Sequence, residues 1–163
     1  MSKHTFYAEL TRDLSALCSG EFNTIATLSN VSALLFERLP AVNWAGFYFV
    51  DGQTLVLGPF QGKLACVRIP LGRGVCGHAC ASSQVVRVGD VHAFDGHIAC
   101  DAASNAEIVL PLVVAGRTIG VLDLDSTQFE RFDDEDETGL KAVVEALCQH
   151  LAHCDWAKFV TFA

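Results

Sequence analysis

The tightest constraint on the fold is the order in which hydrophobic periodicity changes along the chain. Near the N-terminus Phe6, Leu10, Leu14 and Leu17 recur at helical spacing, which predicts an amphipathic helix over residues 3–18 ending near Gly20. A second helical run follows through Ile25, Leu28, Val31, Leu35 and Leu39, with Asn23 as its cap and Pro40 as its stop. Six short apolar segments then take over, at residues 43–50, 54–57, 66–69, 85–88, 107–114 and 118–125. Asp51-Gly52 and Ala115-Gly116 join two of these pairs tightly enough for hairpins. The helical period returns at Leu140, Val143, Val144, Leu147 and Leu151, behind an acid-rich start at Asp133 and Asp134.

Segments joined by hairpins pair antiparallel, and amphipathic helices at both ends must bury their apolar stripes on the resulting sheet. The expected class is therefore α+β, an antiparallel sheet of about six strands with helices packed mainly on one side. Two stretches break the rhythm. Residues 71–77 form a glycine-punctuated loop that leads into a helical turn at 78–82, and residues 89–106 carry no usable period. A loop that long inside a compact domain is usually functional. With no repeat or linker in 163 residues, residues 1–163 read as one domain.

Composition narrows the partners. The chain is 51% hydrophobic and 18% charged, which suits a packed globule. Its net charge of −8, without any basic run, speaks against nucleic acid. The richest apolar run, 108–114, is too short for a membrane span, and Lys3, Glu9, Arg12 and Asp13 interrupt what a secretory signal would need. The expectation is a cytoplasmic protein without membrane contact. Its seven cysteines then sit in a reducing compartment, where Cys18, Cys148 and Cys154, on predicted helices, read as small buried hydrophobes.

The other cysteines cluster between positions 66 and 100. Cys66, Cys76 and Cys100 stand in loops or at strand edges, and Cys100 lies in the aperiodic segment, where a sulfur can face a ligand. A thiol at its ordinary pKa is only a few per cent thiolate at neutral pH, so a reactive one needs local assistance. Cys76, His78, Cys80, His92, His97 and Cys100 also raise structural zinc. They lack the compact Cys-x2-Cys repetition of strong zinc motifs, and a core of this size needs no metal; none is expected. In Leu122-Asp123-Leu124-Asp125 the period of two sends both carboxylates to one face and both leucines to the other. Paired carboxylates beside a cavity push one pKa upward, leaving a neutral acid that can donate a proton; Glu107 can join them across the sheet. Trp44, Phe47, Tyr48 and Phe49 read as core, although a tryptophan face beside acids can also cradle a cationic or methyl-bearing ligand.

Longer strings carry a resemblance. Cys66-Val67-Arg68-Ile69-Pro70, Gly72-Arg73-Gly74-Val75-Cys76-Gly77 and Asp95-Gly96-His97-Ile98-Ala99-Cys100-Asp101 resemble the free methionine-(R)-sulfoxide reductase family. Asn43-Trp44-Ala45-Gly46-Phe47-Tyr48 and Gly120-Val121-Leu122-Asp123-Leu124-Asp125 look like that family's flanking motifs. The resemblance implies a GAF-type domain and reduction of free methionine (R)-sulfoxide, without a cofactor, through a sulfenic acid and an intramolecular disulfide that thioredoxin reopens. It implies that Cys100 attacks, Cys66 resolves and Cys76 is auxiliary. Trp44, Tyr48, Glu107, Asp123 and Asp125 match positions lining the substrate pocket, with Asp125 or Asp123 the expected proton donor. The competing expectation is a non-catalytic GAF module that senses a ligand or redox state. The N-terminal and closing helices offer a face for a homodimer.

Overall fold

The computed structural model describes residues 1–98 and 102–156. Helices α1 (Lys3–Cys18) and α2 (Thr24–Arg38) precede strands β1 (Val42–Asp51), β2 (Thr54–Gly62) and β3 (Arg68–Pro70). Helix α3 (Gly74–Ser82), strand β4 (Val86–Val88), a 3₁₀ turn (Val91–Ala93), strands β5 (Ala106–Val114) and β6 (Arg117–Ser126), and helix α4 (Asp134–Leu151) complete the chain. The six strands form one sheet in the order β3-β2-β1-β6-β5-β4, every neighbouring pair antiparallel. The α+β expectation is met.

Side-chain alternation on the central strands separates two cores. Ala45, Phe47, Ile108, Leu110, Leu112, Leu122 and Leu124 pack against the buried stripes of α1, α2 and α4. On the opposite face Trp44, Tyr48, Val109 and Val121 join Val75, Cys76 and Ala79 of α3. Three helices thus cover one face and α3 the other. Leu140, Val143, Leu147 and Leu151 of α4 are each at most 1% exposed, and each contributes about 1.5–3 kcal/mol through burial. Asp133 caps α4 in a reciprocal capping box with Asp136.

Several boundaries differ from the sequence expectation. Helix α3 starts at Gly74 rather than near residue 78, because four consecutive residues, Gly74 to Gly77, are buried and leave no amphipathic signature. A side chain at Gly77 would strike the carbonyl oxygen of Pro70, so glycine is what lets the helix sit against β3. β2 runs on to Gly62, and β3 begins only at Arg68, leaving Cys66 in the connecting loop. Leu17 and Ile25, expected to face inward, are about two-fifths exposed, and Tyr7 rather than Phe6 is buried in α1. Cys18 and Cys148 are buried as expected, whereas Cys154 lies past the end of α4 and is only half-buried. Among the described residues no helix is long and apolar enough to cross a membrane.

Candidate active site

A cleft of about 510 Å³, its open mouth included, lies on the α3 side of the sheet. Strands β1, β5 and β6 supply its floor through Trp44, Tyr48, Glu107, Asp123 and Asp125. Glu107 pairs directly across the sheet with Asp125, and Asp125 in turn opposes Trp44 on β1. Asp123 opposes Val109 and Gly46, one diagonal step from Glu107. The period-two pattern that turns Leu122 and Leu124 into the helical core therefore gathers three carboxyl groups beneath the cleft.

The aromatic wall is braced on several sides. Trp44 is 3% exposed yet lines the cleft, stacking on Tyr48 at 5.9 Å and on Phe60 at 5.2 Å between ring centroids. Its Nε1 donates to the Lys63 carbonyl at 3.1 Å, and the Tyr48 hydroxyl donates to the Cys66 carbonyl at 2.9 Å. Both bonds tie the loop between β2 and β3 to the floor. Leu64 and Ala65 of that loop line the rim beside Cys66. Across the mouth stand His97, Ile98 and Ser104 from the aperiodic segment.

Burial sets the protonation chemistry. Glu107 is held well above the usual carboxylate range, first by burial and then by the charges of Asp123 and Asp125. Burial likewise pushes Asp123 up to about 6. Its Oδ1 is closed off from solvent with no hydrogen-bond partner. The Cys76 thiol donates to Glu107 Oε1 across 3.8 Å and is driven well above its ordinary value by burial and the neighbouring carboxyls. His97 Nε2 lies 3.8 Å from Glu107 Oε2, but burial lowers its pKa and favours the neutral imidazole. No lysine or arginine lines the cleft among the described residues. The cleft thus stores protons at its base and presents acidic groups to whatever enters.

The five expected pocket residues, Trp44, Tyr48, Glu107, Asp123 and Asp125, come together here. Cys76 also lines the cleft as a buried free thiol. Cys66 is not free but disulfide-bonded, and its backbone is fastened to the wall by Tyr48. Cys100, expected to be the nucleophile, lies outside the described residues. Of the group considered for structural zinc, Cys76 and His97 line the cleft, His78 and His92 are exposed, Cys80 is buried in the α3 core, and Cys100 lies outside the described residues. Leu64, Ala65, Ile69, Gly74, Val75, His97, Ile98 and Ser104 line the cleft as well, beyond the expected pocket residues. Of these, Ile69, Gly74, Val75, His97 and Ile98 stand inside the quoted motif strings and Ser104 in the aperiodic stretch, but nothing local marked them as pocket residues, and Leu64 and Ala65 carried no signal at all.

A GAF domain family matches residues 26–152. The chain is 65% identical to the free methionine-R-sulfoxide reductase of Escherichia coli strain K12, covering 98% of this chain and 96% of that one. It is 37% identical to the Saccharomyces cerevisiae protein of the same name, over 90% of this chain and 86% of the relative. The structure of the Neisseria meningitidis free methionine-R-sulfoxide reductase in complex with its substrate superposes with a TM-score of 0.88 at 44% identity, covering 93% of this chain and 91% of that one. With its cleft on the α3 face of a GAF sheet and likeness along nearly its whole length, the chain belongs to the free methionine-R-sulfoxide reductase family.

Proposed function

We propose that the protein reduces free L-methionine (R)-S-oxide to L-methionine. The observation that carries this reading is a closed-in set of carboxyl groups, Glu107, Asp123 and Asp125, under an aromatic wall in a cleft lined by no lysine or arginine among the described residues. Such a site calls for a ligand that brings its own cation. A free amino acid supplies one in its ammonium group, whereas the same residue inside a peptide does not. The Trp44 and Tyr48 faces suit the sulfur-bearing end of the side chain, since sulfur makes favourable contacts with aromatic rings. Relatives named for this activity, one of them solved with its substrate, support the same substrate.

In the proposed chemistry the thiolate of Cys100 attacks the sulfoxide sulfur. The departing oxygen takes a proton from the carboxyl base of the cleft, where Asp123 and Glu107 hold theirs unusually high. The sulfur–sulfur bond then breaks as the protonated oxygen passes to the cysteine sulfur, so methionine leaves with its sulfur reduced by two electrons and the cysteine is oxidised to a sulfenic acid. The Cys66 thiol then displaces that hydroxyl as water and closes a disulfide, which the dithiol of thioredoxin reduces by exchange. Cys66 stands engaged in a disulfide at the rim of the cleft, in keeping with this resolving role. Cys76, buried and hydrogen-bonded to Glu107, is a poor first nucleophile and serves as an auxiliary thiol.

Thioredoxin-coupled oxidation of NADPH, run with each epimer of free methionine sulfoxide and with a peptide carrying the sulfoxide, tests the proposal. Turnover of the free (R) epimer alone is expected. Cys100→Ser abolishes it, while Cys66→Ser yields one methionine per site and then stalls with thioredoxin as reductant. A Cys100→Ser protein that still turns over, or equal use of the peptide, overturns the reading. Binding of sulfoxide without consumption of NADPH identifies a sensing module instead.

A further inference from the structure

The base of the cleft also has the makings of a metal site. Cys76 on α3 faces Glu107 on β5 and Asp123 on β6, and one ligand atom from each lies within 4.8 Å of the other two. All three residues are at least 93% buried, since the most exposed, Asp123, shows 7%. Asp123 Oδ1 is enclosed there with no hydrogen-bond partner. A buried oxygen left without a donor is costly, and a cation satisfies it as well as a proton donor does. The Cys76 sulfur is 3.8 Å from Glu107 Oε1, close to the edge of about 3.5 Å that a sulfur and an oxygen share around tetrahedral zinc.

From this arrangement we infer that the protein binds one divalent, thiophilic cation of the zinc class through Cys76 Sγ, a Glu107 carboxylate oxygen and Asp123 Oδ1. The donor set decides the metal. One soft sulfur with two carboxylates suits zinc or cadmium, whereas magnesium and calcium take oxygen and water alone. Three protein ligands leave a fourth position open toward the cleft, where water or the carboxylate of an amino acid completes the tetrahedron. On binding, the Cys76 thiol proton and any carboxyl proton leave to solvent, and the charges that remain offset that of the ion. The site forms without Cys66, which is already disulfide-bonded. Where the function proposed above holds, the ion stands in the way of the substrate and blocks turnover. Metal binding itself does not depend on that function.

The test uses the full chain with its disulfide intact, titrated with cadmium chloride alone and followed by sulfur-to-metal charge-transfer absorbance. Zinc chloride calorimetry supplies the stoichiometry. One equivalent is expected, with the absorbance band lost in Cys76→Ser. Affinity should fall at least ~10-fold in Asp123→Asn, which keeps the thiol and so guards against a Cys76 variant that fails to fold. Absence of one-to-one binding, a band that persists in Cys76→Ser, or undiminished affinity in Asp123→Asn overturns the inference. These readouts involve no turnover, so they stand or fall independently of the reductase activity.

Discussion

At the scale of single residues, Asp123 shows why a site of this kind costs stability. Unfolded, its carboxyl titrates near 3.8; folded, burial holds the proton to about 6. A raised folded-state value means that the native state binds more protons than the unfolded chain between those limits. The stabilisation from that proton is complete below 3.8 and is lost as the pH rises through 6. Asp133 behaves oppositely: the hydrogen bond from Lys3 lowers it to about 2, so its contribution is present above 3.8 and lost as the pH falls through 2. The two windows do not overlap. Asp123→Asn should therefore gain stability over the parent protein between pH 4 and pH 7.5, by up to about 3 kcal/mol, because the amide leaves no charge to be buried as the pH rises. Urea midpoints of both proteins across that range measure it. Parallel curves would show that Asp123 carries no such proton.

At the scale of elements, the hairpin joining β5 to β6 is both essential and strained. It aligns Glu107 with Asp125, and it turns through Ala115 and Gly116 with φ of 50° and 74°. Positive φ at both central positions marks the turn that matches strand twist, and Asn-Gly is its preferred pair. Alanine in that region is held against its own steric preference, by roughly 1 kcal/mol. Ala115→Asn should raise stability by about 0.5–1 kcal/mol with the site unaltered, as a shift in thermal midpoint would report; a fall would mean that the side chain meets something at the turn. The hairpin was legible from the sequence because alternation in Leu122-Asp123-Leu124-Asp125 and a glycine-bearing turn say the same thing at two levels. β2 was legible only to Leu57. Beyond it Gly58 and Pro59 break the strand pattern, and they are tolerated because β3 pairs only with Thr54 to Val56. The start of α3 was hidden for another reason: a helix buried on most sides has no polar stripe to set its period. The acidic cluster was readable as a shared face. That Cys76 leans on it from α3 was not, since no local pattern brings residue 76 to residue 107.

At the scale of the whole molecule, one sheet divides two cores, and this division separates folding from chemistry. The helical core joins α1, α2 and α4, and its upper edge is clamped by buried Asp136. Asp136 accepts from the Tyr7 hydroxyl at 2.7 Å, Lys3 at 2.8 Å and Arg131 at 3.0 Å. None of these groups touches the cleft, whose walls belong to the other core. Interiors transmit strain, but β5 and β6 hold their register through backbone hydrogen bonds rather than through any one helical side chain. Leu140 of α4 is fully buried in the helical core, so Leu140→Ala removes packed volume without altering a hydrogen bond. It should cost about 2–5 kcal/mol in urea unfolding. Below the unfolding transition, KM for free methionine sulfoxide and kcat should stay within about twofold of the parent, because a change of 0.4 kcal/mol in either is all that twofold requires. A KM that rises along with the loss of stability would mean that the sheet yields as a whole, and that the helices help to shape the pocket through it.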